Sequence, residues 1–597
     1  MITKNVIFLI DSKIDINLLN KKMHQYKSNN IIFFALNYES QIFLKENKIQ
    51  YFNTEHYFNN SDHKRIVLHL DKVRTKIRKN IYLKTKYKEF TSFSKWYSNM
   101  IIFTCLSYPI FLIEVILNII KKHKPSIIIT FSPSVYINRI GYKDISIIEF
   151  IASMVCKVKK INYIKYTNEI SSKKKFILNN KIKKNKHFKN ISLKNSILLL
   201  SIEYNMIETV KILKKIAPNK KIFLISSENS LAKKLYYLFK HNIRLLFLDP
   251  NFLSKFKINI LKKNDIPSIA TYRNIDLSYL VENKILADIN TSSNRISSQS
   301  SHLTKLLSIS NPDLIISPHS FGLSGVIGDI SNFLKLNAIS ISHGTVNKPR
   351  NSIDKIINQE IGESVILNNY PIVLAQTKLS LSFLKFYKSK SQVLSSGPVI
   401  FSKIKKSITD SRTILHASTF KNKNNMKFWG VETYDEYLSS LLDLCDVTKK
   451  LNFKLIIKPH PSLIEEISLD NFKELIGDHS HIEITNNSFS DCLSKSDLLI
   501  SYSSTTIEEA LINNKYVILY DKWLRYRHCK SYRPKLNANV IDFPVYYIHN
   551  KSLLLNSLNQ IHKFALDNKS DFTDFLINKK FTKKYELILK DCILKNQ

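Results

Sequence analysis

Two short runs in the last third of the chain carry side chains suited to holding a phosphate: Lys458-Pro459-His460-Pro461 and Ser503-Ser504-Thr505. In the first, a strand-like run from Lys454 to Lys458 meets two prolines, which fix the backbone around His460 and end the strand. The imidazole is thereby presented at a sheet edge. In the second, a strand-like run from Asp497 to Ser501 gives way to Tyr502, Ser503, Ser504, Thr505 and Thr506, ahead of the helical run Ile507-Glu508-Glu509-Ala510-Leu511. Hydroxyls and N–H groups at a helix start form an anion site, and a simple N-cap needs one hydroxyl rather than four consecutive ones. Departure of a nucleoside phosphate builds charge on phosphate oxygens, and fixed hydroxyl, N–H and imidazole donors stabilise that charge without a metal. Lys458 would assist, and Glu508 or Glu509 is a candidate for a ribose.

A second group lies upstream. Only nine glycines occur in the chain, yet Gly322, Gly325, Gly328 and Gly344 fall in one region, so the backbone comes close there to a ligand or to neighbouring chain. His319 opens the glycine run. Ser340-Ile-Ser-His343-Gly344-Thr345 reads as a strand ending on a histidine, followed by the cations Lys348 and Arg350. Ligands of open α/β sheets bind beyond the carboxyl ends of the strands. A histidine there can take a proton from an acceptor hydroxyl near neutral pH, with the cations holding an anionic substrate.

The elements that position these groups read as α/β throughout. Short apolar runs alternate with stretches of helical period, the pattern of parallel sheets covered by helices on both faces. Strands are predicted at 6–9, 31–35, 127–130 and 161–166; at 197–201, 221–225, 244–248, 313–317 and 338–342; and at 413–416, 454–458, 482–484, 497–501, 516–520 and 545–548. This divides the chain into an accessory Rossmann-like α/β domain (1–185), an acceptor-side domain (190–400), a nucleotide-binding domain (401–565) and C-terminal helices (566–597). The basic, Asn-rich stretch 171–195 is a linker or exposed loop, and Ser395-Ser-Gly-Pro398 marks the hinge.

The net charge of +42 is spread along the chain and comes with no nucleic-acid-binding motif, so a nucleic-acid partner is not expected, whereas peripheral contact with an anionic inner membrane is. Six scattered cysteines without a CxxC pair argue against zinc and disulfides. No Asp-x-Asp pair occurs, which disfavours a metal gripped in that way, and no cofactor is implied. Met1–Ile10 reads as a first buried strand rather than a signal peptide. Met100–Ile120 is long enough to span a bilayer, but Thr104, Ser107, Pro109 and Glu114 favour a buried or membrane-surface helix.

His460-Pro461, Ser503-Ser504-Thr505 and His343-Gly344-Thr345 resemble, as an ordered set, motifs of bacterial surface-polysaccharide transferases of GT-B fold. These include capsule, sialyl- and polysialyltransferases and CDP-glycerol glycerophosphotransferases. The resemblance covers roughly residues 310 to 525. It implies two Rossmann-like domains facing a cleft, a nucleotide-sugar donor gripped by the His-Pro and Ser-Ser/Thr motifs, and His343 as the catalytic residue. A cytoplasmic transferase of capsule or lipopolysaccharide assembly is the expectation, with a lipid-linked or growing glycan as acceptor. Two departures stand beside it: Val346-Asn347-Lys348 replaces the Pro-Leu-Lys type of the glycerophosphotransferases, and the acidic-acidic-Gly motif of several sialyltransferases is absent. A CDP-linked polyol phosphotransferase and a non-catalytic glycan-assembly scaffold are the alternatives.

Overall fold

The computed structural model describes residues 4–84, 91–132, 146–167, 192–203, 206–226, 231–248, 261, 263–285, 289–342, 344–399, 401, 404, 412–419, 432–464, 467–477, 479–567, 571–577 and 584–594. Apolar runs that bury both faces pair side by side into three parallel sheets, as runs without polar alternation must. The first contains β1 (Asn5–Ile10), β2 (Asn30–Ala35), β3 (Ile127–Ser132) and β4 (Asn162–Thr167), in the order β2-β1-β3-β4. The second takes β5 (Ser196–Leu199), β6 (Lys221–Ser226) and β7 (Ile243–Phe247). After the hairpin of β8 (Thr271–Tyr272) and β9 (Ile275–Asp276), it adds β10 (Leu314–Ser317), β11 (Ala338–Ile341), β12 (Ile372–Ala375) and β13 (Gln392–Ser395). Its order is β13-β12-β11-β10-β5-β6-β7. The third contains β14 (Thr413–Ala417), β15 (Lys454–Lys458), β16 (Ile482–Ile484), β17 (Leu498–Ser501), β18 (Tyr516–Tyr520) and β19 (Val545–Ile548), in the order β16-β15-β14-β17-β18-β19.

Numbered within the third sheet, that order is 3-2-1-4-5-6, the Rossmann order, and the second sheet has the same order with one extra strand beyond it. Two Rossmann-like units of GT-B type, preceded by a further α/β unit, are therefore built into the chain, as expected from sequence. Every predicted strand is present. The four strands that the sequence reading lacks are the hairpin β8 and β9, each two residues long, and β12 and β13. The hinge stretch begins on the last residue of β13 and turns through Gly397 at φ 66°. Most of the basic stretch 171–195 lies outside the described residues.

The N-terminal unit touches both Rossmann-like units. Its helix Asn60–Lys84 packs on helix Ser352–Val365, and the joint is pinned by a buried ion pair, Arg74 to Glu360, and a half-buried one, Arg78 to Glu363, each 2.6 Å. On its other side Gln41 Nε2 donates to Asp435 at 2.7 Å, the Thr54 N–H donates to the same carboxylate at 2.9 Å, and Arg525 Nε donates to Asn60 at 2.7 Å. The apolar run after residue 100 is part of one continuous helix, Thr91–His123, with a π-helical stretch at Ile102–Leu106. By length and composition it could cross a membrane, but 94% of its most apolar window is buried inside the protein, so the buried-helix expectation holds. A single hydrophobic core joins its Tyr97, Ile113 and Ile116 to Ile315, Val326 and Val373 around the second sheet. The last helix, Tyr585–Leu594, returns to that sheet's other face, where the Tyr585 and Thr209 hydroxyls lie 3.2 Å apart.

Candidate functional site

In the third sheet the strand order reverses between β14 and β17, and a ligand crevice forms at the carboxyl ends beside such a reversal. Ser418 follows β14, His460 follows β15, and the Ser503 loop follows β17, so the two phosphate motifs flank one strand end. Ser418 Oγ accepts the His460 N–H at 2.7 Å, which ties the loop after β15 to the reversal point. His460 is half-buried. The Ser462 N–H donates to its Nδ1 at 3.2 Å, with Ser462 Oγ 2.7 Å from the same nitrogen. A backbone N–H can only donate, so Nδ1 is the bare nitrogen and the ring's hydrogen sits on Nε2, giving the imidazole donor that a phosphate oxygen requires. Lys458, the last residue of β15, is half-buried beside it.

The hydroxyls after β17 divide their work. Ser504 Oγ accepts the Thr506 N–H at 3.3 Å and its carbonyl accepts the Ile507 N–H at 3.1 Å, which starts helix Thr506–Ile512. Thr505 precedes the helix without a side-chain capping bond. Ser503 lies beside the Tyr526 phenol. One sequence expectation changes here: Glu508 does not face outward to meet a ribose. Its place on the inner face of the helix buries it completely, with Oε1 2.9 Å from His528 Nε2 and Oε2 enclosed without a hydrogen-bond partner.

His343 lies outside the described residues. The positions after it are described: Gly344 stands opposite the Ser503 loop, where a Cβ at that glycine would come 3.9 Å from Thr505 Cγ2. Thr345 is buried and Lys348 is exposed. Arg350 is exposed; it pairs with Asp354 at 2.5 Å, and its Nη2 donates to the Arg525 carbonyl at 3.2 Å, which fastens the two Rossmann-like units together.

In the second sheet the reversal falls between β5 and β10, and His319 follows β10. Burial pushes its imidazole pKa down, while Glu203, in the loop after β5, acts in the opposite direction. The Phe321 N–H donates to its Nδ1 at 3.4 Å. The nearby glycines serve packing against neighbouring chain. Gly322 starts helix Leu323–Phe333 at φ 59°, beside Trp96 of the N-terminal unit. A Cβ at Gly328 would lie 2.6 Å from the Tyr370 ring.

The segment after β18 holds functional candidates that the sequence reading missed. Asp521 accepts the Tyr547 hydroxyl at 2.6 Å and the Tyr526 N–H at 3.0 Å, while burial pushes its carboxyl pKa up. Arg525 makes a two-toothed pair with Glu436, 2.6 and 2.7 Å, both side chains being buried. The available signal was their place: Arg525-Tyr-Arg-His528 begins just past the carboxyl end of a strand adjacent to β17. A small pocket of about 10 Å³, room for about one water, lies beside Ser418, lined by His416, Glu432, Tyr437 and Tyr502 among others.

No family model matches the chain, and no curated protein matches it. Among solved structures it is similar to the UDP-GlcNAc 2-epimerase of Neisseria meningitidis (14% identity, 67% of this chain and 99% of that one, TM-score 0.37). It is similar also to the UDP-GlcNAc 2-epimerase of Methanocaldococcus jannaschii (12%, 67% and 99%, TM-score 0.38) and to the wall teichoic acid polymerase TagF (11%, 68% and 89%, TM-score 0.34). Scores this low carry no argument, and the GT-B assignment rests on the two Rossmann strand orders described above.

Proposed function

We propose that the chain is a nucleotide-sugar-dependent glycosyltransferase of GT-B type that extends a bacterial surface glycan. The observation that carries this reading is the convergence of Ser418, His460 and the Ser503–Thr505 hydroxyls at one strand-order reversal, opposite the Gly344 loop. His460 and the hydroxyls hold the donor's phosphate as it becomes the leaving group, and Lys458 adds positive charge there. His343 takes the acceptor hydroxyl's proton. A CMP-linked acidic sugar is one donor of this class. The protein works in the cytoplasm, peripheral to an anionic membrane surface. In support, helix Leu231–His241 exposes Leu235, Tyr236, Leu238 and Phe239, the last at 80%, next to the cations Lys240, Lys214 and Lys211.

The test is donor turnover across CMP-, CDP-, UDP- and GDP-sugars with the purified protein. Turnover of one of them, lost in His460→Ala, is the expected result. A product that contains phosphorus would move the reading to CDP-polyol phosphotransfer, and absence of nucleotide binding to a scaffold.

A further inference from the structure

Three guanidiniums gather where the two Rossmann-like units meet. Tyr532 pairs beside β19: its N–H donates to the Val545 carbonyl at 2.9 Å, and the Tyr547 N–H donates back to the Tyr532 carbonyl at 2.8 Å. That pairing sets Arg533 next to Tyr547, with its guanidinium carbon 4.7 Å from the ring centre. Arg527, in the loop after β18, holds its own guanidinium carbon 5.8 Å from the same ring. Arg350 comes from the second unit, and its Nη2 donates to the carbonyl of Arg525, just before Arg527 in the chain, at 3.2 Å.

Part of this charge is balanced and part is not. Arg350 pairs with Asp354 at 2.5 Å. Arg527 donates to the Ser531 hydroxyl at 2.7 Å and to the Ser531 carbonyl, both of them neutral. Among the described residues Arg533 has no carboxylate and no hydrogen-bond partner, so its planar fork of donors is unused. The neighbouring Asp521 is enclosed under the Tyr547 hydroxyl and the Tyr526 N–H, and burial pushes its carboxyl pKa up, toward the neutral form. A cation over an aromatic face is favourable, and one is enough to cover the Tyr547 ring. A second brings like charges together: burial, Arg533 and Arg350 all push the Arg527 pKa down. Cations gathered without enough acid repel one another, and a bound anion relieves that repulsion.

Shape and place narrow the anion. A guanidinium fork matches the two oxygens of a carboxylate. Tyr526, beside Ser503, is followed directly by Arg527, which puts the cluster within reach of a sugar whose phosphate lies at the Ser503 loop. We propose that Arg350, Arg527 and Arg533 form a site for the carboxylate of an acidic sugar, carried by the donor or by the accepting glycan. This rests on the reading of the chain as a sugar-transferring enzyme. The arginines bind and orient; no bond is made or broken there.

The experiment is saturation-transfer NMR titration of the full chain with glucuronate, galacturonate and N-acetylneuraminate, each compared with neutral glucose. The expected result is binding of at least one acid and not of glucose, weakened about tenfold in Arg527→Gln and in Arg533→Gln. Arg533→Lys, which keeps a cation over Tyr547 but removes the fork, should weaken it as well. Displacement of the acid by UDP-glucuronate or CMP-N-acetylneuraminate, but not by UDP or CMP, assigns the carboxylate to the donor; an acid that both nucleotide sugars leave in place assigns it to the acceptor, and either outcome supports the site. Displacement by UDP or CMP alone would make the arginines part of the phosphate grip and overturn the inference. Binding of none of the acids, or undiminished binding in both glutamine variants, would also overturn it, and nucleotide binding in the same samples would leave the phosphate site standing. An acid bound by a chain that binds neither UDP nor CMP would overturn the phosphate-site reading and support the arginine site.

Discussion

Gly344 and Thr505 face each other across the two Rossmann-like units: a Cβ on the glycine would sit 3.9 Å from the threonine methyl and 3.3 Å from Val365 Cγ1. The Gly344 loop thus meets the Ser503–Thr505 loop, which is proposed to hold the donor phosphate.

Gly344→Ala should fold with a stability loss of about 1 kcal/mol or less, because Val365 has only to give slightly. Gly344→Leu should separate the loops. If a misplacement of roughly 1 Å costs about 100-fold, transfer should fall by that order while nucleotide affinity at the other lobe stays within a few fold. Steady-state kinetics beside calorimetry would measure this split, and equal losses in both would count against it.

The N-terminal unit's grip on the second sheet should be energetically visible. Arg74 and Glu360 are almost fully enclosed and 2.6 Å apart. Removing one partner of a buried pair strands the other, at about 3–5 kcal/mol. Arg74→Met should lower the melting temperature and speed amide exchange in helix Asn60–Lys84; unchanged exchange there would show that the joint is not held by this pair.

His63, wholly enclosed beside Arg525, gives an acid-sensitive contact between the N-terminal unit and the third sheet's domain. Burial pushes its pKa down from 6.5 to about 3, with Arg525 adding to the effect. The folded state therefore stays unprotonated while the unfolded state takes up a proton below about pH 6.5, so the stability this group contributes is lost as pH falls from about 6.5 toward 3, by up to about 1.4 kcal/mol per pH unit. Thermal melts of wild type and His63→Gln from about pH 7 to pH 4 should converge as the pH drops. Parallel curves would contradict this.

The exposed apolar helix predicts lipid binding. Transfer of Phe239 from water is worth about 2 kcal/mol, so Phe239→Asp should weaken binding to phosphatidylcholine–phosphatidylglycerol vesicles by more than about tenfold. Raised salt should weaken the wild type as well. Sedimentation with vesicles measures both, and indifference to the substitution would remove the helix as the contact.

Much of this architecture was legible in the chain because parallel strands buried on both faces appear as uninterrupted Ile, Leu and Val runs, and each of those runs became a strand. β12 and β13 were not read out of the sequence: Ile372–Ala375 is short and sits just after Pro371, and Gln392–Ser395 is only half-covered at the sheet edge. The position of the phosphate motifs followed from proline and hydroxyl chemistry at strand ends. The burial of Glu508 did not, since a glutamate in a first helical turn looks the same in sequence whether it meets water or His528. The glycine cluster had two meanings, and only the positions of Trp96 and Tyr370, distant in sequence, decided for packing.

His460 and the Ser503 loop are proposed to hold a nucleoside phosphate. The most direct measurement is kcat/KM for the preferred nucleotide sugar in wild type, His460→Ala and Ser503→Ala. Loss of one preorganised donor to developing charge predicts a fall of about 100- to 1000-fold for His460→Ala, with the fold preserved by circular dichroism and a smaller fall for Ser503→Ala. Full activity in a folded His460→Ala variant would contradict the account.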